Sequence, residues 1–92
     1  MAALAKDKGS YIVNTVGSEV GDLRFNKVKS LWPTTVITSL KNSKGKDVTA
    51  DYISNPAGTI AANAEIAVLP DDQYFTAIEL SGAGSIVELT LD

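Results

Sequence analysis

The strongest constraint on this chain is its punctuation. Short runs rich in β-branched and aromatic residues alternate with clusters of Gly, Pro, Asn, Asp and Ser, at a spacing of roughly ten residues. No stretch holds an apolar stripe at helical spacing long enough to compete. Residues 11–16, 34–40 and 48–53 read as strands, and Pro33 fits a strand start or a sheet edge. Residues 23–28 begin by alternating Leu23 and Phe25 against Arg24 and Asn26. Residues 17–22 read as a loop, residues 41–46 as an exposed hairpin loop whose return strand is 48–53, and residues 54–58 as a turn. Residues 59–64 are ambiguous, because their alanines permit a helical turn. Residues 65–69 form a short strand stopped by Pro70-Asp71-Asp72.

Residues 74–80 and 85–91 read as a hairpin across Ser81-Gly82-Ala83-Gly84. A four-residue loop pairs Leu80 with Ser85, Ile78 with Val87, Thr76 with Leu89 and Tyr74 with Leu91. That register puts Tyr74, Ile78, Leu80, Val87, Leu89 and Leu91 on one apolar face and leaves Phe75, Ala77, Glu79, Ile86, Glu88 and Thr90 on the other. The expected fold is all-β: a compact antiparallel sandwich or jelly-roll-like barrel of about eight short strands. Residues 1–10 read as an N-terminal arm and residues 11–92 as a single β domain, in keeping with a length of 92 residues.

Composition narrows the chemistry. The chain has no Cys and no His, so thiol nucleophiles, disulfides, Ser-His-Asp triads and thiolate or imidazole metal sites are excluded. The apolar runs are too short to span a membrane, and the first residues lack the h-region of a secretory signal. The net charge of −3 hides a division. Residues 1–46 carry all eight bases and three acids, a net +5, whereas residues 47–92 carry eight acids and no base, a net −8. Either strands from the two halves interleave and neutralise one another, or subunits meet with opposite signs.

The remaining motifs are weak. Glu79 and Glu88, diagonal neighbours about 7–8 Å apart in the expected hairpin, have the spacing of a glycosidase pair but fit a solvated outer face better. Asp71 and Asp72 offer calcium-type oxygens, yet Pro-Asp-Asp is ordinary turn chemistry. Gly45-Lys46 fails as a phosphate loop, since Leu40 occupies the first glycine position and Asp47 replaces Ser or Thr. Gly82-Ala83-Gly84 lacks the third glycine of a dinucleotide site. The acidic balance, with no aromatics among the lysines, argues against nucleic acid. No catalytic residue, cofactor or metal is expected.

Ile66-Ala-Val-Leu-Pro70, Tyr74-Phe-Thr-Ala-Ile-Glu-Leu80 and Gly84-Ser-Ile-Val-Glu-Leu89 together resemble the C-terminal part of small tailed-bacteriophage virion proteins. Head decoration, or cement, proteins fit best by size. The resemblance covers residues 64–92. It implies a sandwich or jelly-roll domain, often a homotrimer, bound to major capsid protein on the outside of the virion, with no catalytic residues to carry over and synthesis in the cytoplasm of a host bacterium. On that expectation Leu4, Lys6 and Lys8 tether the arm. Phe25 and Trp32 are apolar anchors, and Lys41, Lys44 and Lys46 make polar contacts. The alternatives are another virion component (tail, fibre or capsid) or a small β module that binds carbohydrate or protein.

Overall fold

The computed structural model describes residues 9–54 and 57–91; Leu4, Lys6 and Lys8 lie outside them. The described residues form β1 (Ser10–Val13), β2 (Glu19–Val20), β3 (Phe25–Ser30), β4 (Thr35–Asn42), α1 (Thr49–Tyr52), β5 (Thr59–Ile60), β6 (Glu65–Ala67), β7 (Phe75–Ser81) and β8 (Val87–Leu91), with a 3-10 turn at Pro70–Asp72. Every pairing between these strands is antiparallel. The sheet folds into two layers, β1-β8-β3-β6 and β2-β7-β4-β5, which join where Phe25 pairs with Phe75. This is the all-β, sandwich-like fold that the punctuation predicts.

The core lies between the layers. Val13, Val28, Ile66, Val87 and Leu89 from the first layer are buried with Ile37, Leu40, Ile78 and Leu80 from the second. Burying each side chain of this size contributes about 1.5–3 kcal/mol. The Cα radius of gyration is 11.7 Å, against about 12 Å for one compact domain of this length.

Four expectations need correction. First, β7 and β8 do not form a hairpin. β3 lies between them, and Gly82-Ala83-Gly84 carries the chain from one layer to the other. Alternation specified the inward faces of Ile78, Leu80, Val87 and Leu89 but not the neighbouring strand. Glu79 therefore faces Glu19 and Ser39, while Glu88 faces Ile12 and Lys29, so the carboxylate pair is not assembled. Second, Phe75 is fully buried instead of outward. The register steps from Lys41↔Ala77 to Asn42↔Phe75, and this bulge at Thr76 resets the alternation.

Third, residues 48–53 are not a return strand. Asp47 accepts hydrogen bonds from Thr49 N (3.0 Å) and Thr49 Oγ1 (2.6 Å), and Thr49 Oγ1 accepts one from Leu40 N (2.8 Å). This side-chain competition with the ladder curls the segment into the single turn α1. Fourth, Phe25 is no partner anchor. It has no exposure and packs on Phe75 with ring centroids 5.4 Å apart.

The topology also places the charges. Lys29 of the basic half sits between Glu88 on β8 and Glu65 on β6. Lys27 approaches Glu65 across the halves at 3.7 Å, whereas Lys41 meets Glu19 of its own half at 2.7 Å. The +5 and −8 halves therefore interleave across the layers, because β3 and β4 are flanked by strands from the acidic half.

Candidate interaction surface

One end of the sandwich carries Leu31 and Trp32, both exposed, in the link from β3 to β4. Three buried hydroxyls hold this link. Ser30 Oγ donates to Trp32 O at 2.8 Å, and Thr35 Oγ1 donates to Ile86 O at 3.2 Å. Ser85 Oγ donates to Ser81 O at 2.5 Å and accepts from Val36 N at 3.1 Å. Leu31 N donates to Ile86 O at 2.9 Å. The indole lies against Gly84, where an added Cβ would fall 2.9 Å from Trp32 Cε2. Trp32 is thus a preorganised apolar platform, with its backbone fixed and one ring edge seated.

The opposite end carries the loop after β4. Asn42 is buried and organises it: its Oδ1 accepts from Lys44 N (2.9 Å) and Lys46 N (3.0 Å), while its backbone N–H donates to Lys46 O (2.9 Å). Asn42 Nδ2 donates to Asp72 Oδ1 at 2.9 Å, and Tyr52 OH donates to Asp72 Oδ2. Tyr52 OH accepts from Leu69 N at 2.9 Å and its ring stands edge-on to Phe75, 5.1 Å between centroids. Both Asp72 oxygens are thereby engaged inside the protein. Among the described residues, no cluster of three or more acidic side chains could hold a metal ion.

The lysines of this end differ. Lys44 and Lys46 are exposed on the loop. Lys41 is half-buried, and its hydrogen bond to Glu19, helped by the nearby charges of Glu19, Asp47 and Glu79, raises its pKa. It is a structural ion pair rather than a free contact. Beside it, Arg24 lies 4.2 Å above the Tyr74 ring in a groove of about 410 Å³.

The Asp72 cluster predicts a pH dependence. Hydrogen bonds from Asn42 and then Tyr52 hold the Asp72 carboxyl below its ordinary 3.8. Those from Thr49 and Ser39 lower Asp47 as well. The unfolded chain then binds more protons between the folded and unfolded values, so this stability is present above 3.8 and is lost as pH falls below it. Burial, with the bond to Asp72, pushes Tyr52 up to about 12, so its contribution persists below pH 10 and is lost as pH rises through 12. Urea midpoints measured from about pH 6 to about pH 2 should fall, and fall less in Asp72→Asn. An unchanged acid limb in that variant excludes Asp72 as a source of the loss.

Sequence reasoning singled out Trp32, Lys44 and Lys46 without placing them relative to one another. They sit at opposite ends of β4, roughly 20–25 Å apart by strand rise. It missed Ser30, Thr35, Ser85 and Gly84 beneath Trp32, and Asn42, Tyr52 and Asp72 beneath the lysines. Their only sequence signal was small polar residues at strand ends, which every turn shares. Comparison with protein-family models, curated proteins and solved structures finds no match for this chain.

Proposed function

We propose that this chain is a non-catalytic virion protein that binds the outside of a tailed-phage head and cements neighbouring coat subunits. The observation that carries this reading is the bipolar arrangement of contacts on one rigid domain. A seated Trp32 with Leu31 marks one end and the Asn42-ordered Lys44 and Lys46 loop marks the other. A domain with two separated, preorganised contacts suits bridging: modest affinity at each end multiplies when both engage. Aromatic anchors in ordered settings also carry a large share of interface energy. The resemblance of residues 64–92 to head decoration proteins points the same way.

The test is co-sedimentation of the purified chain with tailed-phage heads assembled from major capsid protein. Wild type should bind. Trp32→Ala should bind about thirtyfold or more weakly, the size of a hot-spot loss, with its unfolding midpoint nearly unchanged. Absence of binding, together with glycan-array hits that disappear in Trp32→Ala, would assign the platform to carbohydrate instead.

A further inference from the structure

Two of the six large apolar side chains exposed among the described residues, Tyr11 and Ile12, lie on one short stretch. That stretch contains β1, the outermost strand of its layer, which pairs with β8 alone. Leu91 N donates to Gly9 O at 2.8 Å, and the register then gives residues 9, 11 and 13 the bonds to β8. The backbone N–H and C=O groups of Ser10 and Ile12 consequently point off the edge, and among the described residues no strand meets them. Residues 10–16 contain no charge and no proline, the usual devices that keep a sheet edge from pairing.

We propose that β1 pairs with β1 of a second copy of this chain, antiparallel about a two-fold axis at Tyr11. Ser10 then opposes Ile12 of the second copy, and Ile12 opposes its Ser10. The four outward backbone groups of each strand find partners, and the two outer layers become one continuous sheet. Tyr11 meets its own counterpart at the non-hydrogen-bonded position, where cross-strand side chains come closest. A second copy suits this edge because Ser10 and Ile12 each offer an outward N–H and C=O that antiparallel pairing about Tyr11 satisfies reciprocally, and residues 9–13 carry no charge that the seam would bring together. The pairing is two-fold, unlike the trimer that the phage resemblance implies, and it does not depend on the proposed function.

Sedimentation equilibrium and amide hydrogen exchange on the full chain test it. The expected result is a dimer in which the Ser10 and Ile12 amides gain protection as concentration rises. Ile12→Pro removes only an outward N–H, at a position where edge strands accept proline. It should leave the circular dichroism spectrum unchanged and raise the dimer dissociation constant at least about tenfold. Ile12→Lys makes the same test without altering the backbone. A monomer or trimer whose Ile12 amide exchanges freely at every concentration overturns the proposal. So does a dimer insensitive to Ile12→Lys, or protection independent of concentration, which would assign the edge to residues 1–8 of the same chain.

Discussion

Phe25→Ala should lower the unfolding free energy by about 3–5 kcal/mol, the usual cost of deleting a buried aromatic ring. For a domain of this size that corresponds to a fall in Tm of more than about 10 °C. The residue has no exposure and sits where the two layers join, its ring against Phe75, which in turn packs on Tyr52. Removing it opens a cavity at the hinge of the sandwich and loosens both layers together. Total stability of such domains is about 5–15 kcal/mol, so a sizeable unfolded fraction at room temperature is within reach. Urea denaturation followed by tryptophan fluorescence measures it. Unchanged stability combined with a loss of partner binding would return Phe25 to the anchor role that the sequence alone proposed.

Gly58→Ala should be nearly as damaging, at about 3 kcal/mol or more, for a different reason. Gly58 has φ +72°, and a Cβ there would lie 2.5 Å from the carbonyl oxygen of Ile37. The obstacle is backbone in the ladder: Gly58 O accepts the Ile37 N–H at 2.9 Å, beside the pairing of β5 with β4. The clash cannot be relieved without moving the strand that spans the domain. Gly45→Ala is the internal control. It has a similar φ of +78° with nothing within 4 Å of an added Cβ, so only the left-handed conformation is strained, at about 1 kcal/mol. Equal losses in the two variants, read from urea midpoints, would mean that the close approach at Gly58 is unimportant.

Much of the local structure was legible. The apolar alternation in residues 74–91 correctly assigned Ile78, Leu80, Val87 and Leu89 to the interior, because side chains on a strand change face with period two whatever lies alongside. The glycine and proline clusters marked most of the loops for an equally local reason, but the expected 17–22 loop contains β2, because Glu19 and Val20 pair with Glu79 and Ile78 of β7. The exposed Trp32 and the Lys44 and Lys46 loop were visible as residue types. The hydroxyls and the amide that order them were not, since Thr35, Ser85 and Asn42 become informative only when residues some 30 to 50 positions away arrive as partners, as Ile86 does for Thr35, Val36 for Ser85 and Asp72 for Asn42.

By itself, then, the sequence determined the all-β class, most of the turn positions and the inward facing of Ile78, Leu80, Val87 and Leu89. Only the tertiary structure decided which strands are neighbours. It inserted β3 between β7 and β8, curled residues 49–52 into α1, drew Phe25 and Phe75 into the joint between layers, and set Lys29 between Glu88 and Glu65. The reason is that backbone hydrogen bonds are the same for every residue and carry no address. Pairing is selected by how all the apolar faces close over one core, and that is a property of the whole chain.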